Sequence, residues 1–153
     1  MTNNDLIRKI RYAFNLSDDK MILIFSLADK DVSRTEVCDW LKKDDDPEMV
    51  KLEDKVLATF LNGFINFRRG KKDGPQHPPE KTLNNNIVLR KLRIALNFKE
   101  QDMLETLELS GFQLSKHELS AFFRKPEQNQ YRECQDQVLR KFMQGLEIKF
   151  RTL

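Results

Sequence analysis

Catalysis needs a base, a nucleophile or a ligand set held in convergent geometry, and this 153-residue sequence supplies few residues of those types. It has two histidines. His77 stands among glycines and prolines, and His117 falls inside Ser115-x-x-Glu118, the pattern of a capped helix start, so neither is placed as a general base. Cys38 and Cys134 stand alone, far apart, with neither CxxC nor zinc-ligand spacing, and read as small buried apolar residues. Asp44-Asp45-Asp46-Pro47-Glu48 gathers carboxylates without the spacing of a calcium loop, which predicts a solvated turn. Gly70 and Gly74 share their segment with prolines and form no phosphate-cradling loop. The expectation is a protein that is not an enzyme and that needs no metal or cofactor.

The sequence does contain a polar pattern used twice. "NNDLIRKIRYAFN" at 3–15 returns as "NNIVLRKLRIALN" at 85–97, with Asn-Asn, Arg-Lys-x-Arg, Ala and Asn in register. At about 100° per helical residue, Asn4, Arg8, Arg11 and Asn15 fall within roughly 60° of one another, as do Asn86, Arg90, Arg93 and Asn97. Neighbouring Asp5, Tyr12, Ser17 and Lys20 all change between the copies. Arginine offers a rigid fork of donors, and asparagine a paired donor and acceptor, so the stripe suits carboxylates, phosphates or the carbonyl ends of helices. Two uses are open. The stripe could tie down its own module, by capping a neighbouring helix or pairing with the repeated Asp54 and Asp136, or it could present an anion- or partner-binding surface twice.

The elements that would carry this stripe belong to a duplication. Sliding residues 3–69 onto 85–151 at a constant offset of 82 needs no gap and gives 18 identities in 67 positions. The chain therefore reads as all-α: two tandem four-helix modules related by an approximate two-fold axis, over 1–67 and 85–153, joined by a basic linker at 68–84 whose Gly70, Gly74, Pro75, Pro78 and Pro79 exclude continuous helix. In each copy a first helix spans about 4–14 or 86–96, with Ile7, Ile10 and Ala13 or Leu89, Leu92 and Ala95 on its apolar side. A second follows Ser17 or begins near Lys99, and capping boxes at Ser33-x-x-Glu36 and Ser115-x-x-Glu118 open a third. After turns near Pro47 and Pro126, a longer fourth helix carries Leu52, Val56, Phe60 and Phe64, answered by Cys134, Val138, Phe142 and Leu146. Gly63 and Gly145 sit inside it, where glycine costs about 1 kcal/mol relative to alanine, and this predicts a neighbour's backbone passing too close for a Cβ. The second helices differ. "MILIFSLA" is apolar nearly all round, so Leu23 and Ile24 are expected to lie against the other half or another subunit, whereas Glu105 and Thr106 of "MLETLELS" should face water.

Charge excludes little. Lys and Arg number 10 against 13 Asp and Glu in 1–67, 5 against 2 in 68–82, and 12 against 9 in 83–153, which leaves association between unlike halves or copies open. No apolar run reaches the roughly 18 residues of a membrane span, and no secretory leader opens the chain, so a cytoplasmic location is expected. "DVSRTEVCDWLKK" has the look of a helix-turn-helix second helix beside the basic "RRGKK", but Glu36 and Asp39 on its surface would repel phosphates. The duplicated "NNxxLRKLRxALN", the Ser-x-x-Glu helix and "FLNGFINFRRGK" at 60–71 together resemble the YehS-like family of bacterial proteins, tandem copies of a small helical domain with no assigned function. That resemblance implies a bacterial cytoplasmic protein and carries over no catalytic residue. The partner expected is a protein, engaged through the polar helix faces, with nucleic acid as the alternative and homo-oligomerisation open.

Overall fold

The computed structural model of the chain describes residues 1–151. They form eight α-helices and no strand: α1 Asn3–Ala13, α2 Asp18–Ser26, α3 Arg34–Leu41, α4 Asp54–Arg69, α5 Asn85–Leu96, α6 Glu100–Leu109, α7 Lys116–Ala121 and α8 Asp136–Arg151. The second four repeat the first four. Helix starts follow the expected chemistry, with the Ser33 and Ser115 hydroxyls accepting from the Glu36 and Glu118 amides and each glutamate accepting in return from its serine amide. Thr2 and Asp5 close the same box on α1.

The long helices begin later than their apolar spacing suggests. Leu52 and Cys134 are buried but precede α4 and α8, because asparagine side chains hold their backbone extended. Leu52 donates its amide to Asn4 Oδ1 at 3.0 Å and accepts from Asn3 Nδ2 at 3.0 Å, while Cys134 does the same with Asn86 and Asn85 at 2.9 Å each. Burial, with the nearby Asp136 carboxylate, pushes the Cys134 thiol up to about 12, which keeps it a thiol at neutral pH. Cys38, expected to be buried, is only half-buried, its sulfur 3.8 Å from Asp18 Oδ2.

Both glycines in the long helices mark the close approach that their repetition implied. A Cβ on Gly63 would lie 2.0 Å from the Ile24 carbonyl oxygen, and one on Gly145 would lie 2.0 Å from that of Thr106. Each module thus seats its second helix, backbone to backbone, on its fourth. This corrects two expectations for those second helices: Ile24 is fully buried against α4 of its own module, and Thr106 is fully buried while Glu105 faces water. Leu23 is 47% exposed, so the other half of the chain does not cover it.

The modules are joined by exchange rather than through α2. The helix against which α4 packs most extensively is α5, and α8 packs closely on α1 as well as on α6, so each long helix crosses to the other copy's first helix. One hydrophobic core, including Ile7, Phe25, Phe60, Phe64, Leu92, Met103 and Phe142, runs through both copies. Phe14 lies between Phe64 of α4 and Phe150 of α8, with ring centroids 5.1 and 4.8 Å away. The seam is also polar and reciprocal. Arg69 donates to the Ile94 carbonyl at 2.9 Å and Arg151 to the Tyr12 carbonyl at 2.8 Å, each from one copy to the equivalent place in the other. Asp54 accepts the Leu83 amide at 2.9 Å as Asp136 accepts from the Met1 amino nitrogen at 3.1 Å.

Candidate grooves at the seams between the copies

The repeated polar stripe divides, residue by residue, into side chains consumed by the fold and side chains left over. Asn4 and Asn86 are buried, at 3% and 4% exposure. Asn4 donates to the Trp40 and Val50 carbonyls at 3.0 and 2.8 Å as well as accepting from Leu52; Asn86 donates to Phe122 and Arg132 at the same two distances. These amides therefore bracket the extended return from the third to the fourth helix of each module, and they are not part of a partner surface. Asn15 and Asn97 lie just past their helices at φ 51° and 55°, the left-handed region that asparagine tolerates better than β-branched residues, so their identity is conformational. Asn3 and Asn85, outside the stripe, donate at 2.7 Å to Asp54 and Asp136 and, as the first cause, hold both carboxyls below the usual aspartate range.

The arginines part company between copies. Arg8 is tied on three sides, to Asp5 at 2.5 Å, Asp44 at 3.2 Å and the Lys42 carbonyl at 2.6 Å. Its equivalent Arg90 is exposed and has no hydrogen-bond, ion-pair or ring partner among the described residues, because Ile87 and Pro126 stand where Asp5 and Asp44 stand in the first copy. Arg93 is spent on the Phe98 carbonyl at 3.2 Å and on the Phe123 ring, 4.6 Å from its centroid. Arg11 reaches Asp18 at 3.8 Å, while its Nε is enclosed without a hydrogen-bond partner among the described residues.

What remains of the stripe borders two grooves at equivalent places, one at each crossing of a long helix with the other copy's first helix. The α1–α8 groove, of about 380 Å³, is open and charged, bordered by Asp5, Arg8, Lys9, Arg11, Tyr12 and Glu147. The α4–α5 cleft, of about 400 Å³, is roofed by linker residues Gln76–Glu80, and isoleucines at 65, 87 and 94 take the places of Glu147, Asp5 and Tyr12. Lys91 illustrates the divergence. Its equivalent Lys9 is exposed, whereas Lys91 is 6% exposed, with Nζ 2.9 Å from Glu80 Oε1 and 2.5 Å from Asn62 Oδ1. Burial would raise the Glu80 carboxyl, but the hydrogen bond and charge of Lys91 outweigh it and bring it below its ordinary value. The stripe pointed to neither the linker roof nor the Lys91–Glu80 pair; the only signal for the pair was a linker glutamate together with a lysine on the apolar side of its helix.

Two interlocked copies of one helical unit, with a groove at each seam, define an all-α tandem-repeat protein. Its family is plain from the comparison with known sequences: the chain belongs to the family described as protein of unknown function (DUF1456), whose signature matches twice in tandem, over residues 3–70 and 85–152. It is 39% identical over 147 residues to the uncharacterized protein YehS of Escherichia coli (strain K12), covering 95% of this chain and 94% of that protein. No solved structure matches it. Among the described residues, no helix is long and apolar enough to cross a membrane.

Proposed function

We propose that this protein is a non-enzymatic interaction module that engages a protein partner along the α1–α8 groove. The observation that carries this reading is Tyr12. It is 48% exposed and lines the groove together with Arg8, Lys9 and Arg11, while the module as a whole carries more acidic than basic residues. Tyrosine and arginine are the side chains over-represented in protein interfaces and at their energetic centres. Arg151, whose guanidinium carbon lies 3.8 Å from the Tyr12 ring centroid, holds the ring in place before any partner arrives. The partner suited to this groove presents an acidic side chain beside an apolar one.

A photo-reactive phenylalanine analogue at position 12, with position 130 as a distant control, tests the reading in the native host. One defined protein should cross-link from position 12 and not from 130. With that protein purified, Tyr12→Ser should weaken binding at least about tenfold while leaving the helical circular dichroism unchanged. Equal labelling from both positions, or unchanged affinity of Tyr12→Ser, refutes it. A micromolar mobility shift of bulk DNA or RNA that collapses as salt is raised would favour nucleic acid instead.

A further inference from the structure

We infer that the α4–α5 cleft is a binding site for a small amphipathic monocarboxylate, whose apolar chain lies along the isoleucines and whose carboxylate pairs with Arg90. The inference concerns the seam opposite the groove assigned to the protein partner and does not depend on that reading.

Three observations converge. The cleft measures about 400 Å³, within the range of small-molecule sites, and Ile65, Ile87, Ile94 and Pro79 give it apolar walls. Ile94 is 43% exposed although an aliphatic side chain gains from leaving water, so an apolar occupant would bury surface that the fold leaves uncovered. The second observation is charge. Lys91 and Glu80 neutralise each other on the cleft's polar side, which leaves Arg90 as the unmatched cation. One unmatched guanidinium calls for one negative charge, and its two parallel N–H donors fit the two oxygens of a carboxylate. A dianion such as a phosphate monoester would bring a second charge towards Glu80 with no cation to meet it.

The third observation comes from the internal duplicate. In the other copy the same arginine is already saturated: Arg8 holds Asp5, Asp44 and a carbonyl. Asp5 Oδ1 lies 2.5 Å from Arg8 Nη2, so the first copy supplies from its own chain a carboxylate of the kind assigned to a ligand in the second. In the second copy Ile87, a wall of the cleft, stands where the first has that internal carboxylate, leaving the same guanidinium for an outside one.

Methyl-resolved NMR of the full chain, labelled at the isoleucine δ1 carbons and titrated with hexanoate, 1-hexanol and hexylamine, tests this. Hexanoate should give saturable shifts at Ile65, Ile87 and Ile94 and leave Ile7 unmoved, binding about tenfold more tightly than hexylamine. Arg90→Gln, which breaks no hydrogen bond, ion pair or ring contact among the described residues, should reduce hexanoate affinity about tenfold, towards that of hexanol. Arg11→Gln, in the opposite groove, should leave it unchanged. Equal affinity for hexylamine, shifts spread away from these three isoleucines, or an Arg90→Gln protein that binds hexanoate as the wild type does would each overturn the proposal, while leaving the cross-linking result at position 12 untouched.

Discussion

At the scale of single residues, asparagine has been retained in the repeat for three different reasons. Asn4 and Asn86 satisfy two carbonyls and one amide that would otherwise be buried without partners; Asn15 and Asn97 adopt a left-handed backbone; Asn3 and Asn85 each hold the aspartate that opens the long helix of their own copy. All six share one residue type, so sequence identity alone could not tell bracket from conformation from surface. What separates them is burial and φ, and neither is visible in a single sequence. Asn4→Ala removes three hydrogen bonds to the backbone and strands those partners indoors, so equilibrium urea unfolding should show a loss of about 2–4 kcal/mol, as it should for Asn86→Ala. The exposed Arg90→Gln protein should unfold within about 0.5 kcal/mol of the wild type. The arginines were legible as a stripe, but the division between spent and unspent ones was not. It depends on what faces them, and Asp44 or Pro126 comes from a loop distant in sequence.

Helices were the most legible level, and their boundaries failed in an instructive place. Capping boxes announced α3 and α7, and spacing announced α1, α4, α5 and α8, because short-range hydrogen bonding and period decide those features locally. Leu52 and Cys134 continue the apolar spacing of the long helices yet stand outside them, held extended by asparagines some 50 residues away. Hydrophobic period marks what is buried, not where a helix starts. Likewise the apolar surplus of α2 suggested cover from the other copy or another subunit, but the burial of Ile24 comes from α4 beside it and the other copy leaves Leu23 exposed. The repeated glycine was the sound predictor of helix contact. Gly63→Ala and Gly145→Ala each improve helix propensity by about 1 kcal/mol, and each should nevertheless destabilise the protein by at least about 2 kcal/mol in thermal or urea unfolding, since a backbone carbonyl 2.0 Å away cannot yield as a flexible side chain could. An alanine variant more stable than wild type would show that the two helices are free to separate.

At the scale of the whole molecule, tandem duplication was evident from a gapless offset, but the interlocking of the copies was not. Nothing in a repeat states whether its units stack as separate bundles or exchange faces, and here α4 and α8 both cross to the other copy. A chain cut in the linker should therefore not yield two independent domains. Residues 1–70 expressed alone would leave uncovered the face of α4 that packs on α5, and should lack a cooperative thermal transition. Co-expressed with residues 82–153, they should form a one-to-one complex with the spectrum of the intact protein. Two halves that each unfold cooperatively on their own would contradict the exchange.

The crossed arginines carry a consequence for ancestry. Arg69 reaching Ile94 and Arg151 reaching Tyr12 is the relation of a two-fold dimer, in which residue i of one subunit meets j of the other and j meets i. Here both subunits are one polypeptide. An ancestor with a single copy would have met itself across this seam, and a substitution made there would have appeared on both sides at once. Two seams within one chain can differ: one has aspartates beside Arg8, and the other has isoleucine and proline at the equivalent places. In one polypeptide each seam has its own residues, so Arg8 can hold the fold while Arg90, at the equivalent place, has no hydrogen-bond or ion-pair partner among the described residues.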